Sequence, residues 1–392
     1  MKILQLGNVA NNGYVMAKFL RRHGIECDLV VDNSHIFSRP EFEDGEFKKN
    51  YNVKEYNPDF SNTGLLFKTD IKIINLNLGL CNLSGLRNLI KLIKLSRGYD
   101  VISSWDSYTI FAYLTSKPYI VHLPGGYPKY MEGYNFGDQI NLPKGLKGKL
   151  LFYLYKKAKF IVLTMPYQLI DLEKFGFKSF SFVPLPIDTE KYKPIKSDFY
   201  KKLHDKYNAS LIIFNPSRQT WSVKGNNLLI KAFSRFVKEI DSSAHLICSN
   251  WGEDLDKSYN LVKKLNIEKN VTFIDPLPKI ELIKYINASD IITDQFVLGS
   301  LGGSALEAMS CGKPVITSLI EDIFGSPYRG VLPPILNAKT DDQIFNAFLA
   351  LKNKTKRLQM GKSSRNWVKK FHDSDIIIDR FINIYKSALY KK

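Results

Sequence analysis

Short apolar runs alternate with amphipathic stretches along most of the chain. An apolar run at 2–7 ends in Gly7, the stretch 12–24 has the spacing of a helix with one apolar side, and a second apolar run follows at 26–31. This order predicts a strand, a helix and a strand joined in a βαβ unit. Further buried strands of the same parallel sheet are predicted at 100–105, 119–123 and 160–164.

A charged, proline-rich segment at 183–198 interrupts this pattern and predicts a linker or hinge. Beyond it the alternation resumes. The predicted strands are 210–215, 244–249, 271–275, 290–293 and 314–318. The predicted helices are 226–239, 254–265, 279–287 and 303–310. Two such series predict an α/β protein with two Rossmann-like domains, whose parallel sheets face each other across a cleft.

The predicted domains are 1–195 and 196–370, followed by a helical segment at 371–392. A length of 392 residues fits two domains of ordinary size, and 44% hydrophobic with 24% charged residues is typical of a globular protein. The formal net charge of +18 has two explanations. Lysine is abundant throughout the chain, and a basic protein also attracts anions such as phosphates, nucleic acid or an anionic membrane.

The four cysteines are isolated, which argues against a zinc site or a disulfide framework and favours a reducing, cytoplasmic setting. No apolar stretch approaches the roughly 18–20 residues that span a bilayer. The first residues do not resemble a signal peptide. Any membrane contact is therefore predicted to be peripheral, on the inner face of the cell membrane.

A glycine-rich stretch precedes the predicted helix 303–310. Gly299, Gly302 and Gly303 come before Ser304, and Glu307 lies about one turn into the helix. The start of such a helix offers unpaired N–H groups that suit an anion, and glycines let a ligand approach the backbone. A plain turn into a buried helix explains the same residues. Glu307 is either a surface carboxylate or an acceptor for a sugar diol.

Two cations follow the predicted strand 210–215. Arg218 and Lys224 lie in the loop at its carboxyl end, where ligands bind in doubly wound sheets. This placement suits a diphosphate. The alternative is two solvated loop charges in a lysine-rich protein.

The second half resembles the retaining nucleotide-sugar glycosyltransferases of family 4 (glycosyl transferases group 1), which have the GT-B fold. The resemblance is carried by 217–233 (SRQTWSVKGNNLLIKAF), 271–295 and 304–316 (SALEAMSCGKPVI). The first half fits more loosely, through 1–30, 119–126 and 182–194. The last helices resemble the tail with which that family packs back on the first domain.

The resemblance implies roles for the residues named above. Arg218 and Lys224 would bind the donor diphosphate and stabilise the leaving group, which would make a metal unnecessary. Glu307 would bind the donor ribose. The family has another glutamate eight positions earlier, where this chain has Gly299. Asp294 and Gln295 are candidates to replace it, or are polar residues that end a strand.

Three further positions are implied on the same grounds. Ile274, in the segment 273–279, would lie beside the base of the donor. Gly13 would let the backbone approach the donor phosphate or the acceptor. His122, in the predicted strand 119–123, would lie close to the reacting sugar, although a histidine within a strand is equally well a core residue.

Residues 86–160 contain 12 Lys and Arg but only 4 Asp and Glu. Amphipathic basic stretches suit an anionic bilayer and a polyprenyl-linked acceptor, although a solvated basic surface explains them too. No DNA- or RNA-binding signature accompanies the charge, so nucleic acid is not expected as a partner.

The sequence therefore predicts a retaining glycosyltransferase that needs no cofactor or metal. Its donor would be a nucleoside-diphosphate sugar, and its acceptor a glycan or lipid in surface polysaccharide, lipopolysaccharide or glycoprotein assembly. The missing glutamate leaves one alternative open: a non-catalytic GT-B module that binds a nucleotide sugar or glycan for a partner enzyme.

Overall fold

The computed structural model describes residues 1–32, 38–47, 64–124, 145–166, 168–169, 172 and 175–390. They divide into two compact units. The first unit comprises Met1–Leu185 and Ser374–Lys392, and the second comprises Pro186–Asp373. None of the helices in these ranges has the length and apolar character needed to cross a membrane.

The strands of the first unit are β1 (Lys2–Leu6), β2 (Glu26–Val31), β3 (Glu46–Phe47), β4 (Leu65–Leu66), β5 (Ile73–Asn75), β6 (Val101–Trp105), β7 (Tyr119–Leu123), β8 (Phe160–Leu163) and β9 (Phe180–Phe182). Its helices are α1 (Asn12–Arg22), α2 (Pro40–Asp44), α3 (Leu83–Ser96), α4 (Thr109–Leu114), α5 (Leu146–Lys157) and the last helix of the chain, α15 (Ser374–Tyr390). β3 and β4 pair as a short antiparallel ribbon. The other strands form one parallel sheet in the order β5-β2-β1-β6-β7-β8-β9.

Side chains of β1 point alternately to the two faces of this sheet, as the strand period of two requires. Ile3 joins a core cluster with α1 and α15 on one face. Leu4 and Leu6 join a second cluster, with α3, α4 and α5, on the other face. The unit therefore has three layers, with helices covering both faces of a parallel sheet.

The strands of the second unit are β10 (Ile212–Asn215), β11 (His245–Ser249), β12 (Val271–Ile274), β13 (Ile291–Thr293), β14 (Val315–Thr317) and β15 (Leu336–Asn337). Its helices are α6 (Phe199–Tyr207), α7 (Trp221–Lys224), α8 (Asn226–Glu239), α9 (Leu255–Lys264), α10 (Lys279–Ala288), α11 (Gly303–Ser310), α12 (Glu321–Gly325), α13 (Asp341–Lys352) and α14 (Lys354–Phe371). All strands are parallel, in the order β12-β11-β10-β13-β14-β15. One core cluster joins this sheet to α8 and α13.

The division between the units falls at 185/186, whereas the sequence predicted 195/196. The reason is that the linker pairs with the end of the second unit. The N–H of Ile187 donates to the carbonyl of His372 at 2.7 Å, and the Thr189 hydroxyl donates to the Asp373 carboxylate. The second boundary falls at 373/374, against a predicted 370/371.

Candidate functional site

The order of strands in the second unit reverses between β10 and β13. In doubly wound sheets a crevice opens at such a switch point, beyond the carboxyl ends of the two strands. Here β10 leads into the loop with Ser217 and Arg218, and β13 leads into Asp294 and Gln295. Two loops with polar and charged side chains therefore meet at this edge of the sheet.

Lys224 is held at the switch point by the residues that follow β13. Its Nζ donates to Oε1 of Gln295 at 2.8 Å and lies 3.7 Å from Oδ1 of Asp294. Its carbonyl accepts from the N–H of Phe296 at 2.9 Å, so main chain and side chain are both fixed. The lysine ends α7, and Gly225 follows it with a φ of +67°, a conformation that glycine adopts without strain.

Asp294 is almost completely buried, with 2% of its surface exposed. Its Oδ1 accepts from the Ser217 hydroxyl at 2.7 Å, which ties the β13 loop to the β10 loop. Its Oδ2 lies where Gly302 leaves room: a Cβ at Gly302 would be 2.5 Å from this oxygen. Gly302 is therefore explained by its contact with a buried carboxylate as well as by its place before α11.

The side chain of Gln295 is hydrogen-bonded to the main chain of the glycine-rich loop. Its amide Nε2 donates to the carbonyl of Ser300, while its Oε1 accepts from Lys224. Gly299 has a φ of +67°, and a Cβ there would lie 2.5 Å from Cγ1 of Ile320. A glutamate at 299 therefore does not fit this backbone, because its side chain would overlap Ile320. Gly299, which the sequence predicts to bind the donor, is therefore required by the packing of its own loop against Ile320.

Helix α11 begins directly after this loop. The first main-chain bond of the helix runs from the N–H of Leu306 to the carbonyl of Gly302, at 3.2 Å. The N–H groups of Gly303, Ser304 and Ala305 precede that bond and have no acceptor within the helix. Gly303 and Ser304 are half-buried. The helix start therefore provides N–H donors and positive dipole character.

Glu307 lies one turn into α11 and is 7% exposed. Its Oε1 accepts from Nζ of Lys279, the first residue of α10. The same ammonium lies 5.9 Å from the ring centre of Tyr192. Burial of the carboxylate is thus balanced by a cation that the sequence analysis did not single out. The only signal for this lysine was its place at the start of a helix beside the strand β12.

Arg218 is half-buried in the loop that follows β10. The backbone beside it is fixed on both sides, because the N–H of Gln219 donates to the carbonyl of Trp251 at 2.8 Å and its carbonyl accepts from the N–H of Asp254 at 2.9 Å. Ile274 ends β12, two strands away from the switch point, and is half-buried. Both residues lie at the carboxyl edge of the sheet, and their binding roles stay predictions.

His122 lies in the core of the first unit and is fully buried. Its Nε2 is 2.8 Å from the Ser103 hydroxyl and 3.2 Å from the Tyr385 hydroxyl, and its ring stacks on Trp105 with centroids 4.4 Å apart. Burial lowers the pKa of His122 to about 3. This environment is that of a neutral core histidine, the alternative that the sequence left open, and the catalytic role of His122 stays a prediction.

Gly13 lies in the first turn of α1 and is buried. A Cβ there would be 2.3 Å from the carbonyl oxygen of Gly7, so close packing of helix against loop requires glycine. Its role in binding stays a prediction. In the same loop Ala10 and Asn11 have positive φ values of 49° and 61°, which are uncommon for residues with a side chain.

Comparison with known proteins shows which family the second half of the chain resembles. Residues 197–367 match the family model of the glycosyl transferases group 1, a segment that contains Arg218, Lys224 and Glu307. The resemblance to the group 1 glycosyltransferases that was stated from the sequence is therefore confirmed over this segment, which is somewhat less than half of the chain.

The curated relatives match over part of their length. An uncharacterized glycosyltransferase of Methanocaldococcus jannaschii is 28% identical over 230 residues, which cover 57% of this chain and 56% of that protein. The D-inositol 3-phosphate glycosyltransferase of Corynebacterium glutamicum is 32% identical over 102 residues, covering 25% and 24%. The chain thus spans about half the length, or less, of these relatives.

Solved structures match over the whole chain. A glycosyltransferase from Rickettsia africae superposes with a TM-score of 0.69 at 17% identity, covering 100% of this chain and 99% of that one. Anabaena Alr3699/HepE in complex with UDP-glucose superposes with a TM-score of 0.71 at 15% identity, covering 99% and 100%. At such low identity the likeness shows the fold alone, and the predicted GT-B fold with two Rossmann-like domains is confirmed.

Proposed function

We propose that the protein is a retaining glycosyltransferase that moves a sugar from a nucleoside-diphosphate sugar to a glycan or lipid-linked acceptor. The observation that carries the proposal is the fixed Lys224 ammonium at the switch point, inside the segment that matches the family. Anabaena Alr3699/HepE, which has the same fold, binds UDP and UDP-glucose. A nucleotide sugar is the donor that this arrangement suits.

Lys224 and Arg218 bind the diphosphate of the donor in this proposal. An ammonium has three N–H donors, and Gln295 takes one of them, so donors remain for phosphate oxygens. As the bond to the sugar breaks, negative charge grows on the leaving diphosphate. Cations already held in place stabilise that charge without reorganisation, which lowers the barrier and replaces a metal ion.

The start of α11 supplies further donors to the same phosphate group through Gly303 and Ser304. Glu307 binds the ribose hydroxyls in this proposal, and Lys279 fixes the orientation of its carboxylate. The buried pair Asp294 and Gln295 holds Lys224 in place rather than contacting the sugar. We therefore assign these two side chains as positioning residues in place of the missing glutamate.

The remaining parts of the proposal concern the setting. The reaction retains the configuration of the sugar, uses no metal or cofactor, and takes place in the cytoplasm at the inner face of the cell membrane. The acceptor belongs to surface polysaccharide, lipopolysaccharide or glycoprotein assembly. Support comes from the family match and from the net charge of +18, which suits a membrane-linked acceptor.

Release of nucleoside diphosphate from a set of nucleotide sugars, in the presence of a chelator, tests the proposal. We expect release with one donor, and at least a 100-fold loss in the Lys224→Ala variant. Lys231→Ala, which removes an exposed lysine of α8, is the matched control and keeps full activity. If Lys224→Ala releases nucleoside diphosphate as fast as the unchanged protein, Lys224 does not bind the diphosphate as proposed.

A second candidate function is a non-catalytic module that binds a nucleotide sugar. The observation in its favour is the packing of Gly299 on Ile320, which leaves no carboxylate at the position where the family has one. Tight binding of a nucleotide sugar without release of the diphosphate, with any acceptor offered, would establish this alternative.

A further inference from the structure

Helix α3 is apolar on both of its sides. Its inner side packs on the sheet of the first unit through the buried Leu89 and Leu92. The outer side exposes Leu83, Leu86 and Ile90 to 76%, 41% and 54%. Positions three or four apart share one side of a helix, so the three form a single row. A surface helix needs only its inner side to be apolar, and packing within the unit does not explain this outer row.

Helix α5 repeats the arrangement. Leu151 and Tyr155 pack into the same core cluster as the inner leucines of α3, so both helices lie on one face of the sheet. On the outer side Leu146, Leu150 and Tyr153 are exposed to 86%, 45% and 50%, again at helical spacing. Single exposed apolar residues are ordinary on a protein surface, whereas two rows on one helical layer indicate a contact with another molecule or phase.

The charged side chains of α3 and α5 are all positive. Neither α3 nor α5 contains an Asp or a Glu. The exposed cations are Arg87, Lys91 and Lys94 on α3 and Lys149, Lys156 and Lys157 on α5. We call the outer sides of these two helices, with their apolar rows and cations, the basic apolar surface. A second copy of this surface would place like charges together, so self-association is electrostatically disfavoured.

We infer that the basic apolar surface docks the protein on an anionic lipid bilayer. Helices with this composition lie in the plane of the interface, with leucines and tyrosine at the acyl boundary and lysines among the headgroups. Each lysine or arginine near an anionic surface adds attraction, and the long lysine stems let the ammonium reach the headgroups. The inference uses no residue of the donor site, so it is independent of the proposed reaction.

Flotation of the full chain with vesicles tests the inference. We expect binding to phosphatidylcholine vesicles that contain phosphatidylglycerol, and none to phosphatidylcholine alone. Each neutralised cation should weaken binding about fivefold, so Lys91→Gln with Lys94→Gln weakens it about 25-fold. Leu86→Ser with Ile90→Ser removes two of the three exposed apolar side chains of α3 and should abolish measurable flotation. The matched control Leu358→Ser removes a leucine of α14 that is 65% exposed and should bind like the unchanged protein.

A second readout needs no substitution. Cys81 is exposed and lies two residues before α3, whereas Cys27, Cys248 and Cys311 are buried. An environment-sensitive dye on Cys81 should shift to shorter emission wavelength with anionic vesicles only. Equal binding to neutral vesicles, no binding, or flotation unaffected by the variants overturns the inference. So does concentration-dependent dimerisation that Leu86→Ser with Ile90→Ser abolishes. None of these measurements uses a nucleotide sugar, so their failure would remove the proposed membrane setting and leave the proposed sugar transfer untouched.

Discussion

The substitution Gln295→Met tests how Lys224 is held. In the structure Gln295 is 2% exposed, accepts from Nζ of Lys224 at 2.8 Å and donates to the carbonyl of Ser300. Methionine keeps the length of the side chain and removes both hydrogen bonds. The nearby carboxylate of Asp294, at 3.7 Å, then remains the main attraction on the ammonium.

The magnitude follows from these contacts. A hydrogen bond to a charged group contributes about 1.5–3 kcal/mol. At 3.7 Å and an effective dielectric constant of about 20, the gross attraction between Lys224 and Asp294 is about 4.5 kcal/mol. The ammonium released from Gln295 therefore turns toward Asp294 and away from a diphosphate. We expect the affinity for nucleoside diphosphate to fall about 10–100-fold.

Calorimetric titration of nucleoside diphosphate into Gln295→Met, Lys224→Ala and the double variant measures this effect. Lys224→Ala should lose about 100-fold or more in affinity. If Gln295 acts only through Lys224, the double variant binds like Lys224→Ala alone. Losses that add in the double variant would refute the reasoning, because Gln295 would then contribute independently. Gln359→Met, an exposed position on α14, is the matched control.

Three further predictions concern stability. Gly361→Ala should destabilise by about 1–3 kcal/mol in denaturant unfolding although alanine favours helices, because its Cβ would lie 1.9 Å from the carbonyl oxygen of Gly312. Tyr385→Phe should cost about 1–3 kcal/mol and leave catalytic turnover unchanged, because the hydroxyl bonds to side chains in the core of the first unit, those of Ser103, Gln5 and His122. His204→Gln should lose a pH-dependent contribution. Burial lowers the pKa of His204, but the nearby Asp290 carboxylate, 3.2 Å from its Nε2, and the hydrogen bond to the carbonyl of Ala209 outweigh this and raise the pKa above its usual value. Its contribution is then full below about pH 6.5 and is lost as the pH rises through the higher pKa of the folded state.

Each of these predictions has its own control and contradicting result. Ser363→Ala, at an exposed position of α14, should leave stability unchanged or raise it slightly, and a stable Gly361→Ala would show that the two backbones separate easily. A fall in turnover without loss of stability in Tyr385→Phe would contradict this prediction and support the predicted catalytic role of His122. A difference between His204→Gln and the unchanged protein that is constant from about pH 6 to 9 would contradict the raised pKa.

The sequence predicts the buried elements well, because each has a full apolar run or stripe. The helices 226–239 and 303–310 have the predicted bounds. Five strands were missed: the two strands of the short ribbon, β3 and β4, and three strands of two or three residues at sheet edges, β5, β9 and β15. An edge strand is covered less completely, so its sequence lacks the continuous apolar run that marks a central strand.

The site shows the same division between local and distant information. Arg218, Lys224 and Glu307 stand out because they follow strands or begin helices. The pairs that fix them, Lys224 with Gln295 and Glu307 with Lys279, are 71 and 28 residues apart, and no spacing in the sequence indicates them. The buried environment of His122 was not predictable for the same reason. Its strand is plain from the sequence, but the helix that covers it contributes Tyr385, 263 residues away.

Thermal unfolding in the presence of UDP, GDP, ADP and CMP, with a chelator and without divalent metal, tests the central claim most directly. A ligand that binds the folded state raises the unfolding temperature. We expect one nucleoside diphosphate to raise the unfolding temperature of the unchanged protein and of Lys231→Ala, and Arg218→Ala with Lys224→Ala to abolish the rise. A shift that survives in that double variant, or no shift with any nucleotide, would contradict the donor site described above.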